Sequence, residues 1–261
     1  MAFYLYERSA LSILRRKGLF SFKVERSLPF LSGEDLIFPE KDRGKTLIVG
    51  LKLVKVYSLE EAPSSSMFKL ADAVLMGKRY KVGLASEDIF AIKKLAFKNG
   101  NFVKKLVPVN LVLFRLLRKR YREFALVDFG FNSINFIGLK GGAPIIITEN
   151  FGLFDLLDDL CFSKGISMEE AWKAYHEGNE FVKERFYLML SDSLSNYTAP
   201  FRVFDEIMIS GPGIFVEEKN ESPPFAMLQS VFKELGFEEV LPLSKDPFKN
   251  EAISLLVLRK A

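Results

Sequence analysis

Apolar positions along this chain change period several times, and each change marks an element. Short apolar runs bounded by Gly, Pro or polar clusters predict a hairpin from 3–14 and 20–30, turning at Lys17-Gly18. Further strands are predicted at Thr46–Val49, Leu51–Tyr57, Lys81–Ala85 and Phe102–Val107. Ser66 is placed to cap a short helix from Met67 to Met76. Ser86, followed by Glu87 and Asp88, is placed to cap a longer helix. Its buried stripe would be Ile89, Ile92, Leu95 and Ala96, and Asn99-Gly100 would end it. Pro108 leads into a helix that is apolar at Val109, Val112, Leu113, Leu116 and Leu117.

The second half shows the same alternation. Ala125–Val127, Ser133–Leu139 and Ile145–Thr148 read as three strands, with turns at Gly130 and Gly141-Gly142. Helices are predicted at Phe154–Cys161, after a Ser167/Glu170 capping box, at Glu180–Tyr197, at Phe225–Leu235 and at Glu251–Arg259. Strands are predicted at Glu206–Ile209 and Val240–Leu243. Residues 216–224 read as an acidic, Pro-containing loop. Strands and helices alternate throughout, so the class is α/β. No internal repeat is visible in the sequence.

At 261 residues the chain suits two domains. Hydrophobic content of 49%, with 26 Phe, supplies cores built on large rings. Net charge is only +4, and no aromatic platform or nucleic-acid motif accompanies the basic residues, so nucleic acid is not expected as a partner. The basic cluster Arg115, Arg118, Lys119, Arg120 and Arg122 has two readings. It is a solvated helix end, or it contacts acidic lipid headgroups or an acidic partner. A single cysteine, Cys161, excludes an internal disulfide and reads as a core residue in a reducing compartment. A single histidine, His176, sits in a polar helical stretch and reads as surface. No signal-peptide pattern opens the chain, and no apolar run approaches the roughly 20 residues of a spanning helix. A soluble protein is expected, unless the chain is a piece of a longer membrane protein.

The segment from Ala125 to Gly152 carries the candidate chemistry. A strand delivers Asp128 into a turn at Gly130, and a hairpin follows. Glycine lets backbone approach a phosphate, and the acid can hold a metal ion or position a water. The same segment also reads as an ordinary hairpin with a turn aspartate.

Several segments, taken in order, resemble the actin-like PilM family of type IV pilus assembly proteins, whose relatives include FtsA and the cytoplasmic part of GspL. Val127-Asp128-Phe129-Gly130-Phe131-Asn132-Ser133 looks like the family's second phosphate motif. Gly165-Ile166-Ser167-Met168-Glu169-Glu170-Ala171 matches the segment that usually follows it. Ile207-Met208-Ile209-Ser210-Gly211-Pro212-Gly213 looks like the adenosine motif, and Glu251–Arg259 resembles the closing helix. The resemblance implies a two-lobed actin-like (ribonuclease H-like) fold. Its first lobe would cover 1–124, with a trimmed inserted subdomain at about 45–105. Its second lobe would cover 125–250, and 251–261 would pack back between the lobes. It implies cofactor-binding residues Asp128, Gly130, Asn132, Ser133, Ser210, Gly211 and Gly213, with Ser9 as a further candidate. ATP would bind there, with Mg²⁺ held by Asp128 through water.

The departures point away from chemistry. Where the family's first phosphate motif has Asp and Gly, this chain has Tyr6 and Arg8, and only Ser9 is retained. Pro212 replaces a glycine of the adenosine motif, deleting an amide donor. Ser254 replaces a glycine of the closing helix. The expectation is a scaffold with a degenerate nucleotide site and no catalytic residues. The resemblance implies a partner, the apolar N-terminal peptide of a PilN-like membrane protein, in a groove built from Phe3–Leu14, Leu53–Tyr57 and Val82–Ala85. It also implies contact with a pilus motor ATPase, self-association, and a cytoplasmic position peripheral to the inner membrane. Two alternatives remain. One is an ATP-binding, FtsA-like protein with slow or no hydrolysis. The other is a small-molecule kinase using Asp155, Asp158 or Asp159.

Overall fold

The computed structural model describes residues 2–16, 22–63, 67–196, 199–211 and 223–244. These fall into two compact units that divide between Leu116 and Leu117. In chain order the first unit comprises β1 (Ala2–Glu7), β2 (Ala10–Arg16), β3 (Phe22–Ser27), α1 (Pro29–Ser32), β4 (Thr46–Leu51), β5 (Val54–Tyr57), β6 (Phe68–Leu75), β7 (Lys78–Ala85), α2 (Ser86–Lys98), β8 (Phe102–Pro108) and most of α3 (Val109–Arg118). The second comprises the end of α3, then β9 (Phe124–Phe129), β10 (Ile134–Lys140), β11 (Ala143–Glu149), α4 (Leu153–Lys164), α5 (Met168–Glu177), α6 (Glu180–Ser195), β12 (Glu206–Ser210), α7 (Pro223–Glu234) and β13 (Glu239–Pro242).

The first sheet runs β3-β2-β1-β4-β8. Its first three strands form an antiparallel meander, and β4 and β8 then add in parallel. The second sheet runs β11-β10-β9-β12-β13 with the same pattern of directions. The two units therefore repeat one topology, strand for strand. Central strands read as continuous apolar runs because both faces are covered. All six residues of β9 and the first six of β10 are buried. Large rings fill the second core: Phe129 meets Phe186 and Phe232 edge-on, with centroids 6.1 and 6.2 Å away, and Phe136 meets Phe201 at 5.3 Å. Such pairs contribute about 1 kcal/mol each beyond the area they bury.

Between β4 and β8 the first unit inserts a three-stranded antiparallel sheet, β5-β7-β6, and α2. Here the structure corrects the expected short helix from Met67. Phe68–Leu75 is a strand that pairs with β7 along all eight residues. The turn, Met76-Gly77, has φ of 51° and 79°, the left-handed pair a two-residue hairpin needs. The apolar count suits a short helix equally well, and only the partner strand decides. The strand expected over 3–14 is likewise two strands, β1 and β2, joined at Arg8-Ser9 with Glu7 opposite Ala10. Ser86 begins α2 without capping it; the N-cap position is Ala85, and no side chain makes a capping bond there. Cys161 is half-buried rather than core. Lys17-Gly18, Ser66, Tyr197, Pro212, Gly213, Ser254, most of the 216–224 loop and the expected Glu251–Arg259 helix lie outside the described residues.

Candidate functional site

Asp128 belongs to a row of buried polar side chains that crosses four strands of the second sheet. Thr148 of β11 faces Asn135 of β10, Asn135 faces Asp128 of β9, and Asp128 faces Ser210 of β12. Residues opposite one another in a ladder share a face, so the four side chains line one side. Thr148 Oγ1 donates to Asn135 Oδ1 at 2.7 Å, and Ser210 Oγ donates to Asp128 Oδ1 at 2.9 Å. A carboxylate this deep is tolerated only with donors around it. Asp128 and Ser210 were expected at the site; Asn135 and Thr148 were not. Their signal was a polar residue inside each of two otherwise apolar strands.

The turn after Asp128 is fastened to the start of α4. Gly130 N donates to Ser133 O at 2.8 Å, which closes the turn. Gly130 O accepts from Leu153 N at 3.1 Å, and Phe131 O accepts from Phe154 N at 2.8 Å. Gly152 makes this approach possible: a Cβ there would lie 2.6 Å from Phe131 C and 2.7 Å from Asn132 N. Its own amide donates to Asp155 Oδ2 at 2.8 Å. Two of the first amides of α4, ordinarily an anion site, are thus engaged by carbonyls of the turn. Asn132 is half-buried at the tip. Ser133 is buried, and its hydroxyl has no hydrogen-bond partner among the described residues. Gly211 follows Ser210 at φ +120°, where a Cβ would sit 1.9 Å from Phe129 O, so only glycine fits. Gly213 falls outside the described residues.

The first unit offers a different turn at the same place in its sheet. The row equivalent to Thr148-Asn135-Asp128-Ser210 is Ser27-Leu11-Tyr6-Leu51. Tyr6 therefore stands where the second unit has Asp128. Burial, and then the nearby Asp88 carboxylate, push its hydroxyl up to about 12. The turn itself is Arg8-Ser9, with no glycine and no extra residue. Arg8 Nε donates to Asp88 Oδ1 at 2.9 Å, and the same guanidinium meets Glu87 at the start of α2. The Asp88 hydrogen bond raises the pKa of Arg8 further, against the opposing effect of burial. The backbone of this turn is thus a tight hairpin, and its cation is held by two carboxylates.

Other candidates find structural roles. Asp155 caps α4, and Asp159 is ion-paired with Arg185, which leaves the kinase alternative only the exposed Asp158. His176 stacks edge-on against Trp172 at 4.6 Å, half-buried. The Arg115–Arg122 cluster is exposed at the end of α3. The expected groove is only partly lined as the sequence suggests. Phe3–Tyr6 and Ala10–Leu14 are core side chains of central strands, and the open or half-open residues of that set are Arg8 and Ser9 at the first turn, Leu53, Lys55, Val56 and Tyr57 in and before β5, and Leu84 of β7. Among the described residues no group of three or more His, Cys, Asp or Glu is arranged to hold a metal ion, and no helix is long and apolar enough to cross a membrane.

No protein-family model and no curated protein matches the sequence. Solved structures do match its fold. A structure of a PilM–PilN type IV pilus biogenesis complex aligns over 99% of this chain and 97% of that chain, with a TM-score of 0.66 at 14% identity. The ethanolamine utilization protein EutJ from Carboxydothermus hydrogenoformans aligns over 98% and 89%, with a TM-score of 0.51 at 11% identity. A Bacteroides thetaiotaomicron protein with an actin-like ATPase fold aligns over 100% and 95%, with a TM-score of 0.50 at 8% identity. The chain therefore has an actin-like fold, similar to that of a chain in the PilM–PilN complex.

Proposed function

We propose that this protein is a scaffold of a type IV pilus or type II secretion inner-membrane platform, cytoplasmic and peripheral to the membrane. It would bind the short apolar N-terminal peptide of a PilN-like membrane protein without performing nucleotide chemistry. The observation that carries this reading is the Arg8 turn. A nucleotide held in an actin-like fold needs phosphate-binding backbone from both duplicated turns, and in this chain one of them is an ion-paired hairpin. The likeness to the PilM–PilN complex supports the choice of partner. The half-open β5 is an edge strand, paired among the described residues with β7 alone, and an extended peptide could add to it through main-chain hydrogen bonds. A pilus motor ATPase and a second copy of the chain are further partners under the same reading. Calorimetric titration with the N-terminal peptide of a single-pass membrane protein encoded beside this one tests it. Micromolar binding is expected, and its absence for every such peptide would remove the reading.

A second reading, ATP binding without hydrolysis, is favoured by one observation: the buried Ser133 hydroxyl lacks a partner beside the Asp128–Ser210 pair. Ser133, Asn132 and Asp128 would then face the phosphates and water around Mg²⁺, and Ser210 and Gly211 the nucleoside. Millimolar Mg-ATP should raise the melting temperature by several degrees under this reading, and by little under the first.

A further inference from the structure

α2 shows two faces. Asp88, Ile92 and Ala96 are buried, and they account for its attachment to the unit. The opposite face carries Phe90 and Phe97, seven residues apart and thus on one stripe, roughly 10 Å from one another along the axis. These rings are 68% and 73% exposed. Lys93 flanks the stripe on one side, and Lys94 and Lys98 on the other, and all three are exposed. No carboxylate among the described residues pairs with them. The one acid on this face, Glu87, is held by Arg8. Exposed phenylalanine has no solvation reason to stand on a helix ridge, and three uncompensated lysines around it give the ridge one sign of charge.

We propose that this face of α2 docks on an anionic phospholipid surface, with the two rings entering the headgroup region and the lysines resting among the phosphates. The two rings form a ridge, and of this face only Lys98 borders a described cleft, which it shares with Asp35; a ridge suits a deformable lipid surface better than a peptide that needs pockets for its side chains. Three lysines and two rings give weak, reversible binding, enough to orient a protein that a second contact holds at the membrane. The inference is independent of the peptide-binding reading.

The test is sedimentation of the full chain with vesicles of phosphatidylglycerol and phosphatidylethanolamine, against phosphatidylcholine vesicles as reference. Binding is expected to the anionic vesicles only, and to weaken about tenfold or more in half-molar salt. Replacing Lys93, Lys94 and Lys98 together by Gln should weaken it about hundredfold. Phe90→Ser with Phe97→Ser should weaken it about tenfold or more, with melting temperatures that confirm the fold. Neutralising Arg118, Arg120 and Arg122 instead should change little. Failure of the wild type to sediment, equal binding to phosphatidylcholine, or loss confined to the arginine variant would each overturn the proposal. So would α2 variants that still bind vesicles but no longer bind an acidic protein partner, which would make this face a protein site.

Discussion

The two sheets share one strand order, yet the rows beside their first turns have diverged. In the second unit the row is Thr148-Asn135-Asp128-Ser210, buried and hydrogen-bonded; in the first it is Ser27-Leu11-Tyr6-Leu51, largely apolar. The second turn has residues to spare, with Gly130, Phe131, Asn132 and Ser133 arched over the start of α4. The first is a minimal hairpin whose only prominent side chain, Arg8, ties β1 to α2. Two sheets of one topology can keep their cores while the turns at the same place hold different side chains for different contacts. The residue after the row differs too: Gly211 lies against Phe129 backbone, whereas its counterpart, Lys52, is a buried side chain.

That contrast can be broken most severely at Gly211. Gly211→Ala places a Cβ inside the β9 backbone and should lower stability by about 3 kcal/mol or more, measured by denaturant unfolding. An effect below about 1 kcal/mol would mean that the turn yields.

The first unit keeps its own buried carboxylate elsewhere. Asp42 is fully buried and accepts hydrogen bonds from Arg15 and Lys45. Burial pushes its carboxyl up, but the bonds from Arg15, Lys45 and Tyr4 outweigh that and hold it well below the usual carboxylate range. Asp42→Asn should cost about 3 kcal/mol, because it removes the buried carboxylate that pairs with both Arg15 and Lys45 and leaves Arg15 only Glu25. The depressed native pKa also fixes a pH dependence. Its stabilisation is fully present above the unfolded value near 3.8 and is lost as pH falls through the lower folded value. Below about pH 4 the wild type should therefore lose melting temperature faster than the Asn variant.

Smaller effects sharpen the difference between the rows. Ser210→Ala removes a hydrogen bond to a buried carboxylate and should cost about 2 kcal/mol, while Tyr6→Phe at the matching place should cost less than about 1. Equal costs would contradict the division into a polar and an apolar row. Arg8→Ala removes a half-exposed cation from the exposed Glu87 and the buried Asp88, and should cost about 1 kcal/mol, with the Glu87 share lost in high salt.

The sequence revealed what is local. The Ser167/Glu170 capping box forms as expected, with Ser167 N bound to Glu170 Oε2 at 2.8 Å and Glu170 N to Ser167 Oγ at 3.2 Å. The hairpins around Asp128 were also legible, because acid and glycine stand at strand ends, and the resemblance named Asp128 and Ser210 as residues of one site, but the direct pairing of their strands was not read from the sequence. What stayed hidden depends on partners distant in sequence. The Arg8-Ser9 turn lacks Gly, Pro or Asn, so only the polar break Glu7-Arg8-Ser9 marks it, and such a break fits the exposed face of a single strand as well as a turn. β6 became a strand only because β7 lies beside it. Asn135 and Thr148 join the site through register, which no single segment contains. The repeated topology leaves no trace in the sequence, since sheets of the same order need only the same pattern of burial.

The most direct measurement is calorimetric titration of the full chain with the PilN-like N-terminal peptide, with and without saturating Mg-ATP. A scaffold whose first turn has become structural should bind the peptide with the same affinity in both, within about threefold. No binding, or binding that appears only with Mg-ATP, would contradict the account.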